Sequence, residues 1–230
     1  MKITVLTGAG ISAESGIETF RDIKDGLWYN YDVDEVATLW GWTKNPGKVL
    51  EFHNMLRNKS RDIKPNAAHI ALKVLEDKHD VTIVTQNVDD LHEKAGSTNI
   101  LHLHGELFKA RDSFDNIIPL DGDLNLGDLD EYDEQLRPHT VFFGEMPYNF
   151  EEAHVAMAES DVLLIIGTSF SIQYLPMMVS YCPDTADVYY IDPKPDKVIH
   201  KIGFPKLHII REAATTGVIK AINEILDETL

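Results

Sequence analysis

Cysteine, basic residues and long apolar runs are all scarce in this sequence. Cys182 is the single cysteine among 230 residues, so the chain can form neither an intrachain disulfide nor a zinc site of four cysteines. Only 21 lysines and arginines accompany 38 acidic residues, which argues against nucleic acid or an anionic membrane as a partner. The longest apolar run, 162–166, is too short to span a bilayer, and the first residues lack a signal-peptide pattern. We therefore expect a soluble, cytoplasmic protein, a monomer or weak oligomer.

What the sequence does contain is ordinary for a globular protein. Hydrophobic residues make up 43% and charged residues 26% of the chain, which excludes a wholly disordered or fibrous protein. A chain of this length can bury a core without disulfides or metals. Its net charge of -17 is compatible with a basic partner such as a lysine-rich protein tail, and equally with simple solubility.

Short apolar runs predict the fold class. They are continuous rather than alternating, which is typical of strands covered on both faces of a parallel sheet. Helical patterns lie between them, and strands that alternate with helices predict an α/β, doubly wound, Rossmann-like fold. The predicted strands are 3–6, 81–84, 100–103, 162–166, 188–191 and 207–210, and the predicted helices are 66–75, 89–95, 150–160 and 216–226.

Two stretches interrupt this alternation and predict a smaller module beside the sheet. Residues 24–60 are rich in Trp and Tyr and contain one helical pattern, 46–57. Residues 111–134 hold nine acidic residues and one basic residue, which predicts a loop-rich surface insert. We assign 1–23, 61–106 and 138–230 to the Rossmann-like domain, and 24–60 with 107–137 to the inserted module.

The acidic insert resembles a calcium loop only at its start. Asp121, Asp123 and Asn125 are spaced like the first ligands of an EF-hand. Leu126 stands where the loop needs glycine, and Tyr132 stands where it needs a bidentate glutamate. We therefore predict no metal site here.

A glycine turn follows the first predicted strand. Residues 8–13 fit the pattern G-x-G-x-x-A, in which small side chains let backbone N–H groups approach a pyrophosphate. The same pattern also describes a tight turn without a ligand. The acidic residue that ends a second strand in ordinary dehydrogenases is missing, because residues 24–34 are aromatic and turn-like. This argues for a nucleotide whose ribose is held by other groups, and against simple hydride transfer.

Polar side chains follow the predicted strands at the edge where ligands bind in open α/β sheets. Each has a structural alternative, as a helix cap or as a hydrogen-bonded core histidine. Four polar strand ends, together with the glycine turn after the first strand, still favour a site on this edge, because buried polar groups need partners. His104 suits a general base better than a metal ligand, although His102 shares its face. The residues at these ends are Gln86, Asn87, Asp89, His104, Thr168, Ser169 and Asp192.

These residues belong to a set of motifs that resembles one family. The chain is similar to the sirtuins, the NAD-dependent protein-lysine deacylases, in a bacterial-type form without the zinc-ribbon cysteines. The matches run in family order over most of the chain. They are 8–17, Thr19-Phe20-Arg21, Asp25-Gly26-Leu27-Trp28, 65–69, 85–92, His104-Gly105-Glu106, Arg137-Pro138, 143–147 and Gly167-Thr168-Ser169.

The resemblance implies that NAD is consumed as a co-substrate and assigns residues to it. The pyrophosphate lies on the glycine turn, the loop after it covers the dinucleotide, and groups after the second strand hold nicotinamide and its ribose. The adenosine lies on later strand ends, where Asp192 stands in place of the usual Asn. The implied cofactor-binding residues are Gly8, Ala9, Gly10, Ile11, Glu14, Thr19, Phe20, Arg21, Gln86, Asn87, Asp89, Gly167, Thr168, Ser169, Asp192 and Ala213.

The resemblance also implies the reaction. Acyl-lysine enters a tunnel lined by Phe143, and its backbone pairs with Gly144 and Glu145. His104 is the implied general base, with Asn87 as the second catalytic residue. The products are nicotinamide, free lysine and O-acyl-ADP-ribose. Two alternatives stay open: an ADP-ribosyltransferase or NAD glycohydrolase on the same scaffold, and a catalytically silent NAD-binding protein.

Two departures from the family pattern carry further expectations. The space of the zinc ribbon holds the acidic insert without cysteine, so we expect no zinc and expect packing by Phe114, Ile117, Ile118, Leu124 and Leu129. Members that remove succinyl groups carry Tyr and, three residues later, Arg on a pocket helix. His53 and Leu56 stand at these positions, and Arg57 is turned away by ~100°. We therefore expect acetyl rather than succinyl as the preferred acyl group.

Overall fold

The structure is a computed structural model that describes residues 1–18 and 31–227. Thr19, Phe20 and Arg21, which the resemblance places over NAD, lie outside the described residues. Within the described ranges, every helix is too short or too polar to serve as a membrane span.

Nine strands and nine α-helices are assigned within the described ranges. The strands are β1 (Lys2–Thr7), β2 (Asp80–Thr85), β3 (Ile100–His102), β4 (Gly105–Arg111), β5 (Ile117–Pro119), β6 (Arg137–Thr140), β7 (Val162–Ile166), β8 (Asp187–Ile191) and β9 (Leu207–Ile210). The helices are α1 (Val33–Val36), α2 (Leu39–Lys44), α3 (Pro46–Ser60), α4 (Ala67–Glu76), α5 (Leu91–Ala95), α6 (Phe150–Ala158), α7 (Leu175–Val179), α8 (Val198–Ile202) and α9 (Ala214–Asp227).

The main sheet confirms the predicted doubly wound fold. Its strand order is β3-β2-β1-β7-β8-β9, and neighbouring strands pair in parallel. The order reverses direction between β1 and β7, which is where such sheets open a crevice for a ligand. All five residues of β7 are buried, because alternate side chains face one of two apolar cores.

Helices cover both faces of this sheet. Helices α4 and α9 pack on one face through Leu72 and Val218. Helices α6 and α7 cover the other face through Met157 and Met178. The four predicted helices are confirmed within a few residues at their ends. The largest shifts are two residues each, at the starts of α5 and α9 and at the end of α6.

The inserted stretches differ from the prediction in two ways. Residues 33–60 form three helices instead of one, and α3 continues to Ser60. The region after His104 forms a second, antiparallel sheet in the order β5-β4-β6, so the prediction of a loop-rich insert was wrong for β5 and the end of β4. Strands β4 and β6 also cross the predicted domain limits at 106/107 and 137/138, and that division stays a prediction.

The insert packs through fewer apolar side chains than expected. Leu124 is buried against Leu50 and Ala110, with Ile118 at the edge of the same cluster. Ile117 is exposed, because consecutive strand residues face opposite sides and Ile118 takes the inner one. Phe114 and Leu129 are exposed as well, and Phe114 packs its ring against Tyr132 on the surface.

Polar groups of α3 complete the attachment of the insert. Arg57 is fully buried, donates from Nε to the Leu107 carbonyl at 2.9 Å and hydrogen-bonds Asn54. Asn54 in turn pairs with both backbone groups of Leu124, at 2.9 Å each. These bonds join the acidic insert, α3 and β4 at one buried point.

Candidate active site

Two glycine turns meet at the carboxyl ends of β1 and β7. The Gly8 N–H donates to the Ile166 carbonyl at 3.0 Å, and the Gly10 N–H donates to the Gly167 carbonyl at 2.9 Å. A Cβ on Gly10 would lie 2.5 Å from the Gly167 Cα, closer than any side chain allows. The glycines are therefore required by contact between two backbones, whether or not a ligand is bound.

The dinucleotide pattern predicts that an α-helix begins directly at the glycine turn, but within the described part of the chain no α-helix begins there. The turn forms two 3-10 turns, Ala9–Ile11 and Ala13–Ser15. The N–H groups of Ile11 and Ser12 bond three residues back, and Gly16 ends the segment with a φ of 97°. This geometry keeps the chain close to the sheet edge and buries the Ile11 side chain.

Ser12, Asn87 and Asp89 form a buried polar cluster beside the turn. The Ser12 hydroxyl donates to Asp89 Oδ2 at 3.0 Å, and Asn87 Nδ2 donates to the Gly8 carbonyl at 3.2 Å. Burial raises the pKa of Asp89 to about 6, against the opposing effect of bonds from the Leu91 N–H and from Ser12. Asp89 also accepts from the Leu91 N–H at the start of α5, although the N-cap residue of this helix is Asp90.

His104 lies next to this cluster with both ring nitrogens engaged. Nδ1 lies 2.7 Å from the Gln86 carbonyl, and Nε2 lies 2.8 Å from the Tyr174 hydroxyl. A carbonyl only accepts, so Nδ1 carries the proton and Nε2 presents its lone pair. Burial lowers the pKa of His104 below its usual 6.5, while the Gln86 carbonyl partly opposes this. The ring is therefore neutral at pH 7 and able to accept a proton.

The remaining strand ends lie along the same edge. Gln86 Nε2 donates to Thr168 Oγ1 at 3.0 Å, which joins the ends of β2 and β7. Ser169 and Ser171 share a hydrogen bond of 2.6 Å. Asp192 is buried after β8 and accepts from the Lys194 N–H at 2.7 Å. The structure therefore brings the predicted polar ends onto one rim.

Glu14 reaches the start of α9 instead of the glycine turn. Its carboxylate accepts from the Thr215 N–H at 2.9 Å and from the Thr215 hydroxyl at 2.7 Å. An acidic group suits this position because it complements the positive end of the helix. Ala213 lies immediately before α9, so this contact fixes the loop that the resemblance places against the adenine.

Residues 142–145 form a turn held by charge. Glu145 receives two hydrogen bonds from Arg137, at 3.0 and 3.1 Å, and accepts from the Phe142 N–H at 2.7 Å. Burial opposes ionisation of Glu145, but the bonds from Arg137 and the Phe142 N–H, with the nearby Arg111 charge, outweigh burial and lower the pKa of Glu145. Gly144 has a φ of 93°, and half of the Phe143 surface is exposed. The turn thus presents an aromatic ring from a fixed backbone.

His53 is a buried, neutral histidine of α3. Nδ1 donates to the Val49 carbonyl at 2.8 Å, and Nε2 accepts from the Thr140 hydroxyl at 3.0 Å. Burial lowers its pKa to about 4. Its ring lies 5.9 Å from that of Phe142, while Leu56 packs with the cluster around Phe52.

Two side chains that contact the predicted site residues were not singled out from the sequence. Ser12 was read only as a small residue of the glycine turn, although a hydroxyl at that point is itself a signal. Tyr174 sits on the loop after β7 and meets His104 only through the fold, so no local pattern indicates it.

His102 belongs to a charged cluster behind the rim. Its Nδ1 faces the Asn87 carbonyl at 3.0 Å and its Nε2 faces Glu93 at 2.7 Å. Both partners only accept, so both nitrogens carry protons. Ligand atoms of His102, Glu93 and Glu106 lie within 4.8 Å of one another, but the Lys109 amine contacts Glu106 at 2.7 Å. A bound metal would have to displace this cation.

The Glu93–His102 pair predicts a pH-dependent stability. Burial opposes the charge on His102, yet Glu93 raises its pKa above 6.5; the same pair lowers the pKa of Glu93 below 4.5. The contribution of His102 to folding stability is fully present below pH 6.5, and it is lost as the pH rises through the raised pKa of His102. The contribution of Glu93 to folding stability is fully present above pH 4.5, and it is lost as the pH falls through the lowered pKa of Glu93.

We therefore expect Glu93→Gln to reduce the free energy of unfolding by about 1 kcal/mol at about pH 5.5, and by less at about pH 8. Urea unfolding at both pH values measures the difference between variant and wild type. Glu224→Gln, on the exposed side of α9, is the matched control. An equal reduction in the free energy of unfolding at the two pH values would contradict an ion pair between Glu93 and His102.

Comparisons with known proteins identify the family of this chain. The model of the Sir2 family matches residues 8–174. An NAD-dependent protein deacylase of Helicobacter pylori is 50% identical over 194 residues, which cover 84% of each chain. One of Bacteroides thetaiotaomicron is 42% identical over 224 residues, 94% of each chain. A crystal structure of a Sir2 homologue in complex with NAD has a TM-score of 0.84 at 32% identity, covering 99% of this chain and 90% of that one. On this family match and these identities, the chain belongs to the Sir2 family.

Proposed function

We propose that this chain is an NAD-dependent protein-lysine deacylase, which releases nicotinamide and transfers the acyl group to ADP-ribose. The observation that carries the proposal is the neutral His104 imidazole at the rim, with its proton on Nδ1 and Nε2 as a basic atom that accepts from the Tyr174 hydroxyl. The glycine turn and the Asn87 cluster stand directly beside it. A protein that only binds NAD has no need of a base at this point.

The rim residues suit the parts of the dinucleotide. Within the turn from Gly8 to Ile11, the N–H groups of Gly8, Gly10 and Ile11 bond carbonyl oxygens, and the Ala9 N–H is the donor that we propose for the pyrophosphate. Gln86, Asn87 and Asp89 lie on the nicotinamide side next to His104. The adenosine side comprises Gly167, Thr168, Ser169, Asp192 and Ala213, with Ala9 and Glu14 between the two sides. Glu14 acts there by holding the start of α9 rather than by direct contact.

The reaction follows from the order of these groups. Nicotinamide leaves with the glycosidic electron pair, and the acyl oxygen of the substrate lysine forms the new bond to C1′. A weak nucleophile succeeds here only when it is held in line, which the 142–145 turn achieves by fixing the peptide. His104 Nε2 then accepts the proton of a ribose hydroxyl, whose oxygen attacks the acyl carbon. The C–N bond of the resulting tetrahedral centre breaks, and lysine leaves as an amine with the proton held by His104. Water then adds to the acyl carbon, whose bond to the oxygen on C1′ breaks, so that C1′ keeps a hydroxyl and the acyl group stays on the attacking ribose oxygen.

Uncharged acyl groups fit the pocket side of α3 best. His53 is neutral because its pKa is about 4, so it offers no positive charge to a succinyl carboxylate. Arg57 is committed to Leu107 and Asn54. Acetyl is therefore the preferred group in this proposal, with His53, Leu56 and Phe143 nearest to it.

Incubation with NAD and matched peptides tests the function. The peptides carry acetyl-lysine, succinyl-lysine or free lysine in one sequence, and mass spectrometry counts the products. We expect nicotinamide, free lysine and O-acetyl-ADP-ribose in equal amounts, and less turnover of the succinyl peptide. Release of nicotinamide without deprotected lysine would instead support the transferase or glycohydrolase alternative.

We also propose that the chain folds without zinc. The support is the buried attachment of the insert through Arg57, Asn54 and Leu124, together with the single cysteine, which is buried elsewhere. Treatment with a chelator should leave the unfolding temperature and the turnover unchanged, as measured by calorimetry and by the peptide assay. A zinc content near one per chain, lost together with stability, would contradict this.

A cytoplasmic location, a monomeric or weakly oligomeric state and the lack of a nucleic-acid partner stay predictions from the composition. The acyl-lysine protein is the proposed macromolecular substrate. We propose that this substrate binds to the chain at the turn of Phe143, Gly144 and Glu145.

A further inference from the structure

Tyr174 lies on the loop between β7 and α7 and contacts the proposed base. Its hydroxyl is 2.8 Å from His104 Nε2, and the two rings meet edge to face with centroids 6.4 Å apart. The tyrosine ring also packs edge to face against Phe150 of α6, at 5.7 Å. The side chain is thus supported from behind and directed at one atom of the rim.

The direction of this hydrogen bond is fixed by the groups around it. His104 donates from Nδ1 to the Gln86 carbonyl, so Nε2 has no proton and can only accept. Burial raises the pKa of Tyr174 well above its usual value, so the phenol stays protonated and donates. The single in-plane lone pair of Nε2 is therefore filled by Tyr174 in the free protein.

The proposed reaction needs the same lone pair. A neutral imidazole nitrogen accepts one good hydrogen bond, so a ribose hydroxyl can reach Nε2 only where the phenol leaves it. We propose that Tyr174 is a positioning residue that holds His104 in the free enzyme and yields Nε2 to the ribose of bound NAD. This inference rests on the proposed function, because it takes His104 as the base.

Internal competition of this kind has a defined kinetic signature. The hydrogen bond from Tyr174 to His104 stabilises the enzyme without NAD, and it is already broken in the complex with NAD. Its removal should therefore lower the KM for NAD and leave kcat nearly unchanged. A single buried hydrogen bond supports a change of about twofold to tenfold. Tyr174→Phe is the suitable variant, since the phenyl ring keeps the contact with Phe150.

The first test reads the His104 ring directly, in the protein without NAD. A donor to Nε2 favours the neutral ring and so lowers the pKa of His104, beside the effects of burial and the Gln86 carbonyl. No charged side chain within residues 1–18 and 31–227 contributes to that shift. Titration by NMR should show a higher His104 pKa in Tyr174→Phe, by up to about one pH unit. An unchanged pKa would overturn the proposal.

Tyr181→Phe is the matched control for this titration. Tyr181 follows α7, and its ring packs on His154 with centroids 3.8 Å apart. The same substitution there should leave the pKa of His104 at the wild-type value. An equal shift in both variants would mean that loss of any nearby phenol moves it, which would overturn the specific role of Tyr174.

The second test is a double-mutant cycle on equilibrium binding. Calorimetry with a non-hydrolysable carbocyclic NAD analogue compares wild type, Tyr174→Phe, His104→Ala and the double variant. We expect Tyr174→Phe to tighten binding about twofold to tenfold in the wild-type background, and to have no effect where His104 is absent. An equal effect in both backgrounds, or weaker binding, would overturn the proposal. Full turnover by His104→Ala would refute the function instead, without changing either binding result.

Discussion

His104→Ala should lower kcat for deacetylation by about 10²- to 10⁴-fold, the usual contribution of a positioned general base. The reason is the ring geometry, because the Gln86 carbonyl fixes the proton on Nδ1 and leaves Nε2 as the only basic atom. The measurement is steady-state turnover of an acetyl-lysine peptide with saturating NAD. Binding of ADP-ribose, followed by calorimetry, should persist because the glycine turns are untouched.

His200→Ala is the matched control, since His200 lies on the exposed side of α8. It should keep full turnover. The pH profile supplies a second check: activity needs neutral His104, so it should fall only as pH drops below the usual imidazole value of 6.5. Retention of full turnover by His104→Ala would contradict the assigned role.

Gly10→Ala should damage both the fold and NAD binding. The new methyl group would lie 2.5 Å from the Gly167 Cα and 2.8 Å from the Gly167 oxygen. Both are backbone atoms that cannot rotate away, so the two turns must separate. Overpacking of this kind costs about 1–3 kcal/mol. Separation also moves the turn proposed to hold the pyrophosphate, including the Ala9 N–H, so we expect ADP-ribose to bind at least about tenfold more weakly.

Chemical denaturation and calorimetry measure these two effects. Gly122→Ala is the control, because a Cβ at Gly122, in the exposed insert, meets no atom within 4 Å. It should change neither stability nor affinity. If Gly10→Ala behaved in the same way, the close contact of the two turns would not exist in solution.

The main sheet could be predicted because each strand carries its own signal. Continuous apolar runs such as Val162–Ile166 have no polar face, and a parallel sheet between two helical layers is the ordinary way to bury them. The polar residues after these runs were predictable for a related reason, since parallel strands deliver their carboxyl ends to one edge. His104, Asn87 and Thr168 meet there for this reason.

The second sheet could not be predicted in this way. Strand β4 buries Gly105, Leu107 and Ala110, which breaks the alternation that identifies a half-buried strand. The cause is a shift of register between Gly105 and Ala110 where β4 pairs with β6. The contact of Tyr174 with His104 was equally hidden, because 70 residues separate the two.

Electrostatic roles depend on contacts that no motif specifies. Glu145 stands in a motif that the resemblance assigns to the substrate backbone. The structure uses its carboxylate to fix the turn through Arg137 and the Phe142 N–H. Glu14 was assigned to NAD in the same manner and instead holds Thr215. Both assignments stay predictions, and in both cases the partner of the side chain depends on tertiary packing.

A crystal structure with ADP-ribose and an acetyl-lysine peptide tests the central claim most directly. The pyrophosphate should lie on the turn from Gly8 to Ile11, against the Ala9 N–H. A ribose hydroxyl should lie within hydrogen-bond distance of His104 Nε2, with the Tyr174 hydroxyl moved away from it. A ribose bound elsewhere, with Tyr174 still on Nε2, would contradict the account.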